Sequence, residues 1–256
     1  MAAAGTHGRW MPLLARLAAL LCFGAVLAAL IAALGTGTDL WHFRTGFTIL
    51  RYALFAAAGG TVLALVAAIG GSGRARLLAL AALVVGGAFL LYLGNQVRTA
   101  RSVPAIHDIT TNLQDPPAFA RIAPRADSLA TVKSDRPDLQ GLAPAELWRR
   151  LHAEAYPDLQ TVRVPWPAQE TVRRAVQLAE QQGWEVVTAD PAAGRMEATA
   201  TTLFFRFKDD VALRVRPAPG GGSLVDMRSV SRVGVSDVGV NAARIRSFLS
   251  NLQPGE

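Results

Sequence analysis

The polar side chains of residues 226–241 form the densest run of donors in the chain, and their types are suited to holding an anion. The members that could contact a ligand are Arg228, Ser229, Ser231, Arg232, Asp237 and Asn241. Guanidinium and hydroxyl groups bind phosphate or carboxylate oxygens, and a helix that begins after this run adds its N-terminal N–H groups. Alternatively, the arginines pair with carboxylates across neighbouring strands, while Asp237 or Ser236 caps the helix. Asp237 itself would repel an anion, so both interpretations stay open at this point.

Three aspartates outside this run are candidates for acid–base chemistry or for binding a cation: Asp108, Asp209 and Asp210. Adjacent carboxylates such as Asp209 and Asp210 are more typical of a hairpin turn, because Asp tolerates a left-handed backbone. Asp108 also opens a set of oxygen-bearing side chains that resembles a calcium loop, namely Asp108, Thr110, Asn112 and Asp115. That set lacks the glycine turn and the terminal glutamate of such loops, so the sequence predicts no metal site.

Histidine and cysteine chemistry is sparse. His107 and His152 are the only histidines beyond the apolar runs, which excludes a His-rich zinc site and leaves two possible bases for a Ser-His-Asp arrangement. The single cysteine, Cys22, lies inside an apolar run, so the chain has neither a disulfide framework nor a thiolate zinc site. There is no G-x-S-x-G, H-E-x-x-H or Walker motif. We therefore predict no cofactor and favour a binding protein over an enzyme.

The elements that must position these groups lie in the C-terminal half. Apolar periodicity and proline or glycine boundaries predict helices at 145–156, 167–182 and 238–252, with Gly183 ending the second. Strand-like runs fall at 161–164, 184–189, 195–202, 203–208, 211–216 and 223–233. This order predicts an α+β domain, an antiparallel sheet packed by about two to three helices.

Alternation along the strands assigns the two faces of that sheet. The face covered by helices is predicted to hold Met196, Ala198, Ala200, Phe205, Phe207, Val211, Leu213, Val215, Val225 and Met227. The opposite face is predicted to hold Arg195 or Glu197, with Arg206, Lys208, Arg214, Arg216, Asp226, Arg228 and Arg232. A register shift of one residue would exchange the two sets.

The N-terminal part of the chain contains three apolar runs, 17–34, 52–71 and 77–94, and none of them carries an ionisable side chain. As helices they reach about 27–30 Å, the thickness of a bilayer's hydrocarbon core. We predict three membrane spans, the first retained as an anchor, although a cleaved signal peptide is an alternative for it. Trp10, Trp41, Phe43 and Tyr92 fall near run ends, as in an interfacial aromatic belt.

The second and third runs are joined only by residues 72–76, so they must form an antiparallel hairpin. Gly59–Gly60 and Gly86–Gly87 lie near their centres, where backbones can approach closely, either within the chain or against a membrane-protein partner. Transport is not expected, because pumps and transporters need ionisable or unwound positions at membrane depth. The spans predict an anchor or a helix-interaction module.

Orientation depends on a small charge difference. Arg9, Arg16, Arg74 and Arg76 flank one side of the predicted spans, and Arg44, Arg51, Arg98 and Arg101 flank the other. The N-terminal amine tips this balance towards a cytoplasmic N-terminus. Three spans then place the C-terminal domain outside the cytoplasm. Because only two of the 26 basic residues are lysines, we take the source to be a GC-rich bacterium and the membrane to be its inner (plasma) membrane.

Residues 98–144 separate the spans from the predicted domain at 145–256, and they contain six of the fourteen prolines. Proline removes N–H donors, so we predict an irregular linker that either covers the domain or acts as a tether. Charge also differs between the parts of the chain. Residues 1–100 hold seven arginines and one aspartate, whereas residues 101–256 hold nineteen basic and eighteen acidic side chains. Of the net charge of +7, +6 therefore belongs to the part of the chain that holds the apolar runs, which makes the lipid bilayer the expected partner and excludes nucleic acid.

Three motifs resemble one family. They are residues 106–112 (IHDITTN) with 115–119 (DPPAF), residues 207–214 (FKDDVALR) and residues 225–245 (VDMRSVSRVGVSDVGVNAARI). In this order they resemble the family called domain of unknown function 1499, over residues 104–252. The resemblance implies no activity. Family members occur in bacteria, often behind a few membrane spans, and in chloroplasts, which favours an exported domain here.

Three functions are consistent with these observations. We favour a membrane-anchored domain that binds a partner or an anionic ligand through the arginine face around Arg214, Arg228 and Arg232. The first alternative is an enzyme at the membrane surface, such as a hydrolase, and its candidate residues are Asp108, Asp209, Asp210, Ser229 and His107. It requires the motif around Asp108 to converge with residues 226–241. The second alternative is a structural subunit of a membrane complex.

Overall fold

The structure is a computed structural model that describes residues 7–254; the N-terminal amine lies outside this range. The chain divides into two compact units. The helical unit holds the chain up to Arg98 together with Leu203–Arg206, and the sheet unit holds Thr99–Thr202 with the chain from Phe207 onward.

The helical unit consists of three long helices: α1 His7–Gly37, α2 Phe43–Gly70 and α3 Gly73–Ser102. All three are long and apolar enough to cross a membrane, which confirms the predicted apolar helices. Each helix is longer than the apolar run from which it is predicted. The last turn of α3 lies in the sheet unit. Only Gly71 and Ser72 separate α2 from α3, which confirms the predicted hairpin.

Small side chains fill the inside of the helical unit, and large apolar ones cover the outside. The buried residues are mostly alanines, in clusters that join Ala15, Ala67 and Ala79, then Ala18, Cys22, Ala64 and Ala82, then Ala25, Ala53 and Ala57. Leu20, Ile69 and Leu91 are each at least 70% exposed. A water-soluble protein rarely exposes so many large apolar side chains, whereas membrane helices pack through small residues and present large ones to lipid.

One glycine of each predicted pair, Gly60 in α2 and Gly86 in α3, contributes to this packing. A Cβ atom at Gly60 would lie 2.8 Å from the Cys22 Sγ, and one at Gly86 would lie 2.3 Å from the Thr61 Oγ1. These two glycines therefore allow the close approach that the sequence predicts. Gly59 and Gly87 have no atom within 4 Å of such a Cβ position and do not contribute to packing within the unit.

Within the residues that the structure describes, the sheet unit contains six strands and three helices besides the end of α3 and a short 3-10 helix at Pro137–Leu139. The strands are β1 Asp108–Thr110, β2 Val162–Val164, β3 Glu185–Asp190, β4 Arg195–Thr201, β5 Lys208–Pro217 and β6 Ser223–Ser231. The helices are α4 Pro144–Ala155, α5 Ala168–Gln181 and α6 Val240–Leu252. All strand pairs are antiparallel, in the order β1-β6-β5-β4-β3, and β2 also pairs with β6. The predicted α+β class is confirmed.

Strand β6 pairs with three other strands, β1, β2 and β5, more than any other strand of this sheet. One edge pairs with β5 along its whole length, from Pro217 opposite Ser223 to Asp209 opposite Ser231. The other edge is shared end to end by β2, which pairs at Ser223–Val225, and β1, which pairs at Arg228–Val230. The segment predicted to be irregular therefore supplies a strand.

Helices α4, α5 and α6 cover one face of the sheet. The core there contains Met196, Ala200, Val211, Leu213, Val215, Val225 and Met227 from the strands, and Trp148, Val172, Ala175, Ile245 and Phe248 from the helices. The predicted face assignment is thus confirmed for β4, β5 and β6. Gly183 ends α5 with a φ of +74°, as predicted from its position after the apolar stripe.

Two predictions about the β4–β5 connection are wrong. Residues 203–207 form no strand, because the Thr202 N–H donates to the Phe207 carbonyl and the Phe207 N–H donates to the Thr202 Oγ1, which closes a turn there. Asp209 and Asp210 are not a hairpin turn. They lie in β5, opposite Ala200 and Thr199 of β4. The turn lies in the aromatic run instead.

Candidate functional site

The candidate residues predicted from the sequence lie on both faces of the sheet. Asp108, Asp210, Arg214, Arg228 and Arg232 belong to the face away from α4–α6, which we call the polar face. Asp209, Ser229 and Ser231 point to the helical side, where Asp237 and Asn241 at the start of α6 join them. The set therefore forms two groups separated by the sheet.

Asp108 and Arg228 bring the first and last family-like motifs together on the polar face. The Arg228 Nε donates to the Asp108 Oδ1 at 2.9 Å and its Nη2 donates to Oδ2 at 2.6 Å. The carboxylate is 2% exposed, and Ser128 donates a further bond of 3.4 Å to it. This satisfies the convergence that an enzyme would require, but it occupies both carboxylate oxygens.

Asp226 holds two more arginines of the polar face. Its Oδ2 accepts from the Nη2 atoms of Arg214 and Arg216, both at 2.8 Å, and the carboxylate is fully buried. Arg214 also donates to the Asp115 side chain and to the Asp115 carbonyl, both at 2.7 Å. Asp115 therefore contributes to an arginine cluster rather than to an oxygen cluster with Asp108.

The third pair is Asp210 with Arg232. The Arg232 Nη2 and Nε donate to the Asp210 Oδ1 at 2.8 and 3.1 Å, and the Thr199 hydroxyl donates to the same oxygen at 3.1 Å. Asp210 is 1% exposed, whereas the Arg232 side chain is 43% exposed. Burial of an unpaired carboxylate is costly, so each aspartate requires its arginine.

The proline-rich segment covers part of this face. Its backbone N–H groups at Ala120, Arg121 and Ile122 all donate to the buried Glu197 carboxylate, the outer two at 2.6 and 2.7 Å. Arg228 contacts the same segment, donating to the Pro117 carbonyl at 3.4 Å. Consecutive N–H groups of this kind form an anion-binding concavity, and here the anion is the protein's own glutamate. The segment thus covers the domain, one of the two predicted alternatives.

The group on the helical side is a closed hydrogen-bond network. The Asn241 Nδ2 donates to the His107 carbonyl at 3.0 Å and to the Ser231 Oγ at 2.9 Å. The Ser229 Oγ donates to the Asn241 Oδ1 at 2.7 Å and accepts from the Arg244 Nη1 at 3.0 Å. The Arg244 Nη2 donates to the Asp209 Oδ2 at 2.5 Å. The donors and acceptors that could contact a ligand are thus bonded to one another.

Asp237 stabilises the start of α6. Its Oδ1 accepts from the Gly239 N–H at 2.8 Å and its Oδ2 accepts from the Asn241 N–H at 3.0 Å. This is the capping role that the sequence offers as the alternative to ligand binding. Burial raises the pKa of Asp237 to about 6, against the lowering effect of these two N–H bonds.

Neither histidine contacts Ser229 in the described part of the chain. The His107 Nε2 lies 3.1 Å from the Thr131 Oγ1, and the His152 Nε2 accepts from the Thr110 N–H at 3.1 Å. Burial lowers the pKa of both, and that of His152 to about 4. The lowered pKa values favour the neutral form of both rings at pH 7. The His152 ring joins α4 to Thr110 of β1, whereas the His107 ring lies beside Thr131, and the Nδ1 atom of each ring is buried without a hydrogen-bond partner within residues 7–254.

A separate cavity of about 390 Å³ lies at the C-terminal end of α3. Its lining residues are Arg101–Ala105, Lys133, Ser134, Arg136, Leu151, Glu154 and Ala155. None of the candidate residues predicted from the sequence lines it. Three segments that are distant in sequence build it: the last turn of α3 with the residues after it, the stretch before the 3-10 helix, and the last turn of α4.

Positive charge predominates in this cavity. Arg136 is bound to Glu154 and to Asp138, the latter with an Nη2–Oδ2 distance of 2.7 Å. Arg101 and Lys133 are exposed and form no ion pair within residues 7–254. Two cations are therefore available to a ligand. Arg101 also lies in the last turn of α3, where a cation offsets the negative end of the helix dipole.

Comparison with known proteins gives one result that decides the family. The model of the family described as Protein of unknown function (DUF1499) matches residues 108–252, more than half of the chain. The chain belongs to the DUF1499 family. A comparison with curated proteins gives no match.

The DUF1499 segment coincides with the structural elements described above. It begins at the first residue of β1 and ends at the last residue of α6, so it includes every strand of the sheet and helices α4–α6. The three apolar helices precede it. The cavity combines DUF1499 residues, Lys133 to Ala155, with Arg101–Ala105, which precede the family segment.

Sequence reasoning missed Arg101 and Lys133 as site residues. The sequence counts Arg101 only as a charge flanking a span, and Lys133 falls within the proline-rich segment without a motif around it. One signal is available. Lys133 is one of two lysines in a chain whose other basic side chains, apart from histidine, are all arginines.

Proposed function

We propose that this DUF1499 protein is a membrane-anchored binding protein. Its domain lies on the outer side of a bacterial inner (plasma) membrane and holds an anionic group in the cavity beside α3. The ligand chemistry is a phosphate or carboxylate, carried either by a soluble molecule or by a lipid headgroup. The cavity's two unpaired cations, Arg101 and Lys133, are the observation that carries the proposal.

The arginines of the polar face are less suited to the same ligand. Arg214, Arg228 and Arg232 each bond to an aspartate that is at most 2% exposed. An incoming anion would have to compete with these carboxylates and would leave a buried charge without its partner, which costs several kcal/mol. Arg101 and Lys133 do not neutralise a buried carboxylate, so both can bind an anion without disrupting the fold.

The position of the cavity favours a lipid headgroup as one source of the anion. The apolar run of α3 ends at residue 94, and Arg101 follows seven residues later in the same helix. Seven helical residues rise about 10 Å, whereas the headgroup layer adds about 5–8 Å on each side of the hydrocarbon core, so the long Arg101 side chain can reach back to that layer. A cation placed there attracts anionic lipid.

Binding is tested with two probes on the full chain. The first is inorganic phosphate, added to the detergent-solubilised protein and followed by calorimetry. The second is phosphatidylglycerol. The protein is purified from vesicles that contain both phosphatidylglycerol and phosphatidylcholine, and the amounts of the two lipids that remain bound to it are compared. We expect binding of one probe, and replacing Arg101 and Lys133 by Gln weakens it about tenfold per cation, since a charge-assisted hydrogen bond contributes about 1.5 kcal/mol.

Arg149→Gln with Arg150→Gln is the matched control. Both residues are exposed on α4, the pair removes the same net charge, and neither lines the cavity. The control should bind like the unmodified chain. Equal weakening in both variants would indicate general charge attraction, and binding of neither probe by the unmodified chain would refute the cavity as an anion site.

Orientation is tested separately in a chain whose only native cysteine is replaced, Cys22→Ala. New cysteines at Ser72, between α2 and α3, and at Val187, in β3, are treated in intact cells with a membrane-impermeant maleimide. Of the three apolar helices, α3 alone lies between these two positions, so they are on opposite sides of the membrane if α3 crosses it. We expect labelling at 187 and protection at 72; the reverse pattern contradicts the proposed topology.

A further inference from the structure

The turn between β4 and β5 carries an unusual set of exposed apolar side chains. We call Leu203–Arg206 the apolar loop. Leu203 is 82% exposed and Phe204 is 53% exposed. Loop tips are ordinarily polar, because water solvates their side chains and their backbone groups. Two adjacent large apolar side chains at a tip therefore indicate a surface that is covered by something apolar.

The apolar loop belongs to the helical unit, although the strands on either side of it belong to the sheet unit. The Phe205 ring lies 5.1 Å from the Phe47 ring, centroid to centroid, in the first turns of α2. A Cβ atom at Gly46 would lie 3.2 Å from the Phe205 Cε1, and one at Gly37 would lie 2.9 Å from the Arg206 Cγ. Glycines at the end of α1 and the start of α2 thus leave room for the loop.

The contacts fix the level of the loop along the helices. The first apolar run ends at residue 34 and the second begins at residue 52, so Gly37 and Phe47 lie where the chain passes from hydrocarbon to headgroups. Aromatic side chains favour this layer, and Arg206 and Lys208, beside the exposed pair, can extend their charges to the headgroups.

We propose that the apolar loop is a fourth membrane-contacting segment, in which Leu203 and Phe204 insert into the interfacial layer of the bilayer that α1–α3 cross. Lipid is the occupant that the surroundings favour. The loop joins a unit that exposes many large apolar side chains, and the basic residues Arg206 and Lys208 complement anionic headgroups. The domain is then attached to the membrane at two points that lie 100 residues apart in sequence, the end of α3 at Ser102 and Thr202 at the base of the loop.

The test uses the full chain with Cys22→Ala, reconstituted in vesicles of phosphatidylcholine with a minority of phosphatidylglycerol. Leu203→Cys and Phe204→Cys are made separately and labelled with the fluorophore NBD. A doxyl-labelled phospholipid then serves as the quencher. We expect a blue-shifted emission and roughly twofold or stronger quenching at both positions, because the label enters the layer that holds interfacial aromatic side chains.

Val187→Cys is the control, since Val187 is an apolar side chain on a strand with 46% exposure, close to that of Phe204. It should show neither the shift nor the quenching. Near-UV circular dichroism establishes that each labelled chain is folded. If the chain labelled at one loop position does not fold, the chain labelled at the other position still tests the proposal. Quenching at the loop no stronger than at Val187 overturns the proposal. A blue shift without quenching overturns it too, because the label is then covered by protein.

Discussion

The Asp108 carboxylate and the Arg228 guanidinium form a two-bond ion pair between residues that are 120 positions apart in the chain. The pair joins β1, the first strand of the domain, to β6, the last. It also links the two stretches of sequence that an enzyme hypothesis would place in one site. Because the Asp108 side chain is 2% exposed, the arrangement resembles a structural clamp rather than a ligand site open to solvent.

Arg228→Ala should destabilise the domain by about 3–5 kcal/mol, because it leaves the Asp108 carboxylate buried and unpaired. Adding Asp108→Ala should recover part of that loss, since the uncompensated charge is removed as well. The measurement is urea unfolding of the full chain in detergent, followed by near-UV circular dichroism. Arg173→Ala breaks an exposed pair with Glu170 and should cost at most about 1 kcal/mol. Equal costs for Arg228→Ala and Arg173→Ala would contradict the clamp.

Phe248→Ala should cost about 3–5 kcal/mol, the range for removing a buried aromatic ring. Phe248 is fully buried in α6 and stacks on Trp184 at 4.8 Å between ring centroids. The same unfolding experiment measures the loss, and the near-UV signal of Trp184 should weaken. Val187→Ala, at an exposed position of β3, is the comparison and should change stability by less than about 1 kcal/mol. A similar cost at both positions would show that Phe248 is not part of the core.

Glu197→Gln should release the proline-rich segment without unfolding the sheet. The neutral amide keeps one acceptor but loses the charge that three backbone N–H groups share. Hydrogen exchange at Ala120, Arg121 and Ile122 should accelerate about tenfold or more, since each bond to a charged group contributes at least about 1.5 kcal/mol. Amides in the centre of β5 are the internal reference. If they accelerate equally, Glu197 supports the whole domain rather than the segment.

The stability of the domain should fall as the pH is lowered, in part through His152. Its pKa is lowered by burial from 6.5 to about 4, so the unfolded chain binds a proton more readily than the folded one. The contribution of His152 to the free energy of unfolding is fully present above pH 6.5. Roughly 2–3 kcal/mol of it is lost as the pH falls towards 4. His107, whose pKa is also lowered, acts in the same direction, whereas the raised pKa of Asp237 acts in the opposite one.

His152→Gln isolates this effect, because its amide oxygen can still accept the Thr110 N–H. Melting temperatures of both chains are compared between pH 7 and pH 4. We expect the difference in melting temperature between the unmodified chain and the variant to narrow or reverse as the pH falls. Parallel curves over this range would mean that His152 does not titrate differently in the folded and unfolded states.

Much of the fold follows from periodicity along the sequence. Alternation in β4, β5 and β6 assigns their two faces correctly, because each residue's face depends only on its neighbours in the strand. Strand β1 has no such signal: three residues, Asp108–Thr110, are held by pairing with β6. The aromatic run at 203–207 has strand-like composition but forms a turn, which is closed by the two hydrogen bonds between Thr202 and Phe207.

The sites follow less directly. Sequence proximity correctly indicates that Asp237 stabilises the start of α6, since both acceptor contacts are local. It cannot indicate which arginine neutralises which aspartate, because Arg228 with Asp108 and Arg214 with Asp115 depend on long-range pairing. The cavity beside α3 could not be predicted from the sequence. It exists only where three separate segments meet, and its charge depends on which cations those segments leave unpaired.

The pairing of β1 with β6 has a consequence for how the protein is made. Residues 108–110 leave the ribosome about 120 residues before their partners at 228–230, which is roughly 6–24 s of synthesis at common rates. Throughout that interval α1–α3 are already available for insertion while the domain lacks β6. The sheet can close only after residues 223–231 have been made, so its folding follows the synthesis of all three apolar helices. Buried side chains such as Ile109 stay uncovered until then, which makes this the aggregation-sensitive stage of biogenesis.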